Sequence, residues 1–459
     1  MNRPTSTAPS IAELRAAVRG QVITPEDADF DQARAVFYGM DRRPVAIVRV
    51  ADETDVAHVV SLARETGVEL AVRSGGHSLA GHSVSEGGIV LDLSDMKALD
   101  IDTDSRSAWA QSGLTAGEFT TAAGTHGLAT GFGDAATVGI GGITLGGGVG
   151  LLSRKHGLTI DSLLAAEIVT ADGELVHADE NSHPDLFWAI RGGGGNFGVV
   201  TRLQFRLQEV DDIVGGMMML PATPDVLRSF VELAEAAPDD LSTILNAMKA
   251  PPMPFVPEQY HGQVVLFALM AYAGDISEGE EVVARFRALA EPIIDMVQPM
   301  KYRDIYGPDE EAPHPAAVAV RNMYVAKVDH GAAEAIIEQL RASTAPMAAV
   351  QIRALGGAAS RVPIESTAYA HRERQIMVNV AAMYEDLGEA EIHDAWADRL
   401  AETLDQGEPG AYVNFVGDEG AERVRAAYPG PTWDRLREIK RRYDPTNLFR
   451  LNQNIPPAG

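Results

Sequence analysis

The residues best suited to chemistry lie in three glycine-rich segments. Arg73-Ser74-Gly75-Gly76-His77-Ser78 follows an apolar, strand-like run. Its backbone amides can form an anion-binding nest of the kind that holds phosphates. Thr137 to Gly150, TVGIGGITLGGGVG, lets main chain approach a large flat or anionic ligand with no Cβ in the way. Two such cradles suit a dinucleotide better than a lone phosphate, although crowded turns would account for either one alone. The third segment, RGGGGNFG, contains a formal GxGxxG at Gly193, Gly195 and Gly198. A dinucleotide fingerprint runs strand, glycines, helix, so that a helix N-terminus faces the pyrophosphate. Here a helix precedes and a strand follows, so the order is reversed. His77 and His82 stand five apart on a loop, with no HExxH and no carboxylate cluster, which argues against a metal. No GxSxG elbow is present.

The elements that must hold these segments are partly readable. Val45–Val50 reads as a strand, and Thr54 can cap a helix whose Val56, Val59, Val60 and Ala63 share a face and whose stop is Gly67. Glu69–Arg73 resumes strand character, which makes a β-α-β unit ending at Ser74-Gly75-Gly76. GGIVLDLS supplies another strand. Residues 131–150 are too rich in glycine for a stable helix, since each interior Gly costs ~1 kcal/mol against Ala. Leu163–Thr170 and Gly198–Leu207 read as strands around a short helix at HPDLFWAIR. Beyond about residue 208 the glycines thin out and Ala/Glu/Arg-rich helices (223–236, 279–291) alternate with strands (263–271, 375–383). A basic helix, DRLREIKRRY, halts at Tyr443-Asp444-Pro445.

With 459 residues, 46% of them hydrophobic, the chain can bury a large core. A net charge of −27 with no Lys/Arg run longer than three does not suit nucleic acid and biases against anionic substrates. The absence of cysteine excludes disulfides, thiol catalysis and thiolate metal sites. The N-terminal twenty residues lack the apolar core of a secretion signal, and no 18-residue apolar run spans a membrane, so a soluble cytoplasmic protein is expected.

In order along the chain, RSGGHS, GGIVLDLS, TVGIGGITLGGGVGLLSRKHGLTIDSLLAAEIVTADG, DLFWAIRGGGGNFGVVT and YDPTNLFRLNQNIPP resemble the berberine-bridge-enzyme-like branch of the vanillyl-alcohol oxidase/p-cresol methylhydroxylase flavoproteins. The resemblance implies an α+β, two-lobed FAD-binding fold of the p-cresol methylhydroxylase (PCMH) type: an FAD domain over 1–207, a central α/β substrate-binding domain over 208–405, and a C-terminal segment, 406–459, returning to the FAD domain. It implies FAD bound covalently through His77. Arg73, Ser74, Gly75, Gly76, Ser78, Thr137, Val138, Gly139, Gly141, Gly142, Thr144, Gly147, Gly148 and Gly150 would wrap the cofactor. Gly194, Asn196, Gly198, Val199, Asn452, Gln453 and Asn454 would complete its site. Members with a second flavin bond use a Cys just before TVG; here Ala135 stands there, so the linkage would be single and the substrate small.

The implied reaction is hydride transfer from a small amine or alcohol C–H to FAD, with O2 reduced to H2O2; the alternatives are a dehydrogenase with another acceptor, an oligosaccharide or natural-product oxidase and, ranked last, a non-catalytic flavin-binding protein. Relatives carry Tyr-x-Asn-Tyr near the C-terminus, its second phenol catalytic. This chain has Tyr412-Val413-Asn414-Phe415, and phenylalanine cannot transfer a proton. Asn379, on the strand where other relatives place Glu or Gln, is no base either. Both losses fit an amine substrate needing little base help. Tyr412, Asn414, Asn379, Tyr369 and His371 are the catalytic candidates, followed by Tyr384 and Tyr428, and Thr144 is placed to face flavin and oxygen.

Overall fold

The computed structural model describes residues 10–307 and 315–459; the first nine residues of the N-terminal segment read above lie outside it. Residues 21–92 form a four-stranded sheet in the order Gln21–Ile23, Ala46–Arg49, Ile89–Asp92, Leu70–Arg73. Ala46–Arg49 and Leu70–Arg73 both run parallel to the strand between them. The β-α-β unit is therefore present with a third strand intercalated. Its helix, Glu53–Thr66, buries Val56, Val59, Val60 and Ala63 and stops at Gly67, whose φ of 69° suits glycine. The start differs from the sequence reading: Asp52, not Thr54, caps the helix, accepting from the Thr54 and Asp55 amides. A carboxylate there also meets the positive end of the helix dipole. Leu70–Arg73 releases the 74–78 turn at the carboxyl ends of parallel strands, where ligands of open α/β sheets bind.

A second, antiparallel sheet has the order Leu99–Asp102, Ser107–Gln111, Val199–Arg206, Leu163–Val169, Leu175–Asp179. The long glycine segment is inserted between its second and third strands in the chain. Contrary to the sequence reading, that segment contains a short helix, Ile140–Gly146. Helix propensity is a weak preference that tertiary packing overrides. Ile140 and Leu145 are buried in the core under this sheet, and a Cβ at Gly146 would overlap the Asn414 carboxamide.

Residues 212–384 build an eight-stranded antiparallel sheet whose central order is Asp212–Pro221, Val264–Tyr272, Leu241–Lys249, Met347–Ala354, Ile376–Tyr384, Ala317–Val325. Period-two alternation sorts its faces. Val378, Val380 and Ala382 join a core shared with helices Pro224–Ala236, His330–Ala342 and Ala390–Leu404. Met377, Asn379, Ala381 and Met383 take the other face. Residues from 411 onward pack back on the first part of the chain: Ala411, Val413, Tyr428 and Leu436 share a core with Phe187 and Phe197, and Phe449 packs with Val56 and Leu91. No helix among the described residues is long and apolar enough to cross a membrane.

Candidate active site

A cavity of ≈ 440 Å³ lies between the 74–78 turn, the 133–149 segment, the 194–198 turn, residues 412–416 and the C-terminal 449–453 segment. Met383 and Arg353 of the large sheet also line it. Its floor rests on one backbone contact. A Cβ on Gly75 would overlap the Gly139 amide, and a Cβ on Gly139 would overlap Gly75 N and Ser74 Oγ. The two glycine segments are therefore pressed together main chain to main chain. Gly139→Ala must push them apart, so we expect a loss of about 1–3 kcal/mol in stability together with reduced flavin content, read by thermal unfolding and the absorbance ratio of purified protein.

His77 lines the cavity, with its ring stacked on Phe37 (centroids 4.2 Å, 22°) and its Nε2 3.0 Å from Thr137 Oγ1. Ser74, Gly75, Gly76, Ser78, Val138, Gly139, Gly141, Gly142, Gly194, Asn196, Gly198, Asn452 and Gln453 line it as well. Arg73 does not. Its guanidinium is buried beneath the turn, donating to Asp92 Oδ2 and Ala33 O at 2.7 Å each. Arg73 therefore braces the loop from below. Thr144, Gly147, Gly148, Gly150, Val199 and Asn454 stand outside the lining, and so does Thr137, which is solvent-exposed and meets His77. Thr144 is fully buried, with an Oγ1 that has no partner.

The lining fits a large, partly polar cofactor. A Cβ on Gly142 or Gly195 would meet no protein atom within 4 Å, so bare backbone faces open space at both positions. Ser112 Oγ, His82 Nδ1 and Asn452 Oδ1, all on lining residues, are buried with no protein partner. Buried polar atoms are rarely left unpaired, so these mark where a polar ligand belongs. The C-terminal segment is tied in by Asn452 Nδ2 donating to Gly195 O, and by Asn196 donating to Gln453 O and accepting from Ile455 N.

Tyr412 lies between the lobes. Its amide donates to Asn322 Oδ1 on the large sheet, and its phenol oxygen accepts from Gly148 N, Val149 N and Asn414 Nδ2. Burial pushes this phenol up against the opposing pull of those donors, so it stays protonated near neutral pH. Asn414 also donates to Ile143 O.

The other catalytic candidates do not line the cavity. Tyr369 and His371 border a separate small void behind Tyr412. Burial raises the Tyr369 phenol to about 12, and its oxygen is 3.2 Å from that of Tyr324. His371 donates through Nε2 to Ala426 O. Asn379 lies across from Gln351 and Asn322 in the sheet register, with a buried, unpartnered Oδ1. Tyr384 faces the opposite side, stacked on His393, and Tyr428 donates to Gly192 O inside the core. Their spacing could not reveal this, because a phenol in a core and one in a cavity look alike in sequence.

A polar group unread in the sequence does face the cavity. Asp134, next to Ala135, lines it with a side chain 26% exposed. Arg353 Nη2 lies 2.8 Å from its Oδ2, and Gln351 Nε2 donates to the same oxygen at 3.1 Å. Gln351 also donates to Asn246 Oδ1, and the Arg353 guanidinium lies over the Phe415 ring at 5.0 Å. Burial, reinforced by the Asp134 charge, pushes the Tyr38 phenol well up. The signal was available: Gln351 and Arg353 sit two apart on an apolar strand, hence on one face.

Three histidines are held neutral. Burial lowers His82, His156 and His371 to about 4 each. A group depressed in the folded state binds its proton more readily when unfolded. Stability is therefore complete above the unfolded value near 6.5 and falls as pH drops towards 4. Glu235 and Glu419, raised by burial, oppose this over part of the window. We expect Tm to fall between pH 6.5 and 4, and His371→Gln to make that fall shallower.

Residues 44–179 match the FAD binding domain family, and residues 411–456 match the berberine and berberine-like family. Among curated relatives, (R)-6-hydroxynicotine oxidase of Paenarthrobacter nicotinovorans is 30% identical over 96% of this chain and 98% of its own length. An uncharacterized FAD-linked oxidoreductase of Bacillus subtilis is 33% identical over 91% and 94%. The crystal structure of 6-hydroxy-D-nicotine oxidase from Arthrobacter nicotinovorans superposes with a TM-score of 0.86 at 28% identity, covering 96% of this chain and 98% of that one. A cavity that suits a dinucleotide, bordered at both ends of the chain by segments matching these two families, identifies the fold as PCMH-type. The chain belongs to the berberine-bridge-enzyme-like FAD-linked oxidoreductases.

Proposed function

We propose that this FAD-linked oxidoreductase is an oxidase of small amines or alcohols, holding its FAD by a single covalent bond through His77. The observation that carries the reading is the position of His77: on the cavity wall, stacked on Phe37 and hydrogen-bonded to Thr137, where the glycine segments leave backbone open to a flat ligand. Two contacts on one imidazole fix its plane before any bond forms, which favours one productive approach. The chain has no cysteine, so a second thioether is impossible. Bound FAD supplies the hydride acceptor.

The remaining residues narrow the substrate. Phe415 brings only an apolar ring to the cavity. The Tyr412 phenol is occupied by three donors and held protonated, so it serves as a brace between Gly148 and Asn414. With no phenol poised to take a proton, the site suits an amine that arrives as its ammonium form and gives that proton to solvent before its C–H is oxidised. We further assign residues 208–405 to substrate binding, since the large sheet supplies Met383 and Arg353 to the cavity lining. The named activity of the nicotine-oxidising relative, oxidation of a small nitrogen heterocycle, agrees in type.

The experiment is a panel of amines, alcohols and sugars added to the holoenzyme, anaerobically to follow flavin bleaching and under air to follow peroxide. Bleaching by an amine or alcohol with stoichiometric H2O2 under air is the expected result. Bleaching without peroxide would instead make the protein a dehydrogenase with another acceptor.

A further inference from the structure

We propose that Asp134 is the substrate-recognition carboxylate of this cavity, and that it selects ligands carrying an ammonium group. This rests on the reading of the cavity as the site of oxidation and deepens it by naming the substrate class. The argument starts from how the ion pair is oriented. Arg353 is almost wholly enclosed, with its side chain 3% exposed, against 26% for Asp134. Each nitrogen of the guanidinium is engaged inside the protein: Nη1 on Val149 O at 2.7 Å, Nε on Gln351 Oε1 at 2.9 Å, and Nη2 on Asp134. One face lies over Phe415. The cation is therefore turned mainly towards the protein.

The carboxylate faces the cavity. Both of its protein donors, Arg353 and Gln351, bind Oδ2. Among the described residues Oδ1 accepts no hydrogen bond, and Asp134 borders the cavity. A fixed pair whose buried end is positive and whose open end is negative presents a directed dipole. The energy of a hydrogen bond to a charged group is about twice that of a neutral one. The surroundings favour a cation too: Tyr38 lines the same cavity, and aromatic faces attract ammonium groups. The chain's net charge of −27 enriches cations around it.

Alternatively, Asp134 could serve only to neutralise Arg353, and the two roles separate experimentally. Isothermal titration of the holoenzyme with 2-phenylpropan-2-amine and with 2-phenylpropan-2-ol compares a cation with its neutral isostere. Neither probe has a hydrogen on the substituted carbon, so neither can be oxidised there. We expect the amine to bind about 30-fold more tightly than the alcohol. Asp134→Asn should cut that preference to within about 3-fold, and Asp134→Glu should keep most of it. A structural role would lower Tm in both variants and leave the amine-to-alcohol ratio unchanged. Equal binding of the two probes to the wild-type protein, no binding of the amine, or an unchanged ratio in Asp134→Asn would each overturn the proposal. The wild-type comparison decides even if the variants do not fold. Ammonium selection in a protein whose flavin neither amine nor alcohol bleaches would leave Asp134 as assigned and remove the oxidase reading; bleaching by amines with an unaltered ratio would do the reverse.

Discussion

His77→Ala purifies with less flavin, and what flavin it carries leaves with the supernatant when the protein is precipitated with acid. The wild-type pellet stays yellow. The expected contrast is complete, because the chain has no cysteine and Ala135 cannot form a second bond. Thr137→Ala is the graded companion. It removes the hydroxyl 3.0 Å from His77 Nε2 but leaves the stacking on Phe37, so the ring loses one restraint and keeps that one. We expect covalent incorporation to become slower and incomplete, with part of the flavin acid-extractable. A colourless wild-type pellet over a yellow supernatant would remove the covalent assignment and leave the cavity's fit to FAD intact.

The second large effect lies away from the cavity lining. Lys440, on helix Pro431–Tyr443, is 0% exposed, and its ammonium donates to Asn196 O, Asp444 Oδ2 and Phe449 O. One buried charge thus joins the 194–196 turn to the C-terminal segment, both of which border the cavity. Lys440→Met leaves the Asp444 carboxylate and two carbonyls without it. Breaking a buried pair from one side costs about 3–5 kcal/mol, so a fall of that size should appear in denaturant unfolding, together with lower flavin content. The double variant Lys440→Met/Asp444→Leu should recover only part of the loss. Asp444 also accepts from the Leu448 and Phe449 amides, and leucine orphans both.

What the sequence disclosed follows from the range of the interactions involved. The helix 53–66 and its flanking strands were readable because periodicity and Gly67 act within one or two turns. His77 and the glycine segments stood out because glycine spacing and order survive in one dimension. The helix Ile140–Gly146 was missed because its stability comes from contacts with residues such as Asn414, about 270 positions away, and not from propensity. Asp134 passed unnoticed for the same reason. Its meaning depends on Gln351 and Arg353, more than 200 residues distant, brought over it by strand pairings that no local pattern announces. Tyr369, His371, Tyr384 and Tyr428 were attractive by residue type alone, and type does not tell a buried core from a cavity wall.

The contact between Gly75 and Gly139 also limits how this sequence can drift. A side chain at either position claims the same gap, so a substitution at one cannot be compensated at the other. Neighbouring residues such as Val138 or Ser78 can be exchanged singly, whereas these two are locked jointly to glycine. A library randomised over both loops, sorted only for yellow colour, should return glycine at both positions while its flanks diversify. For anyone re-engineering the cavity, 75 and 139 are fixed points, and variation belongs at Met383 on the large sheet.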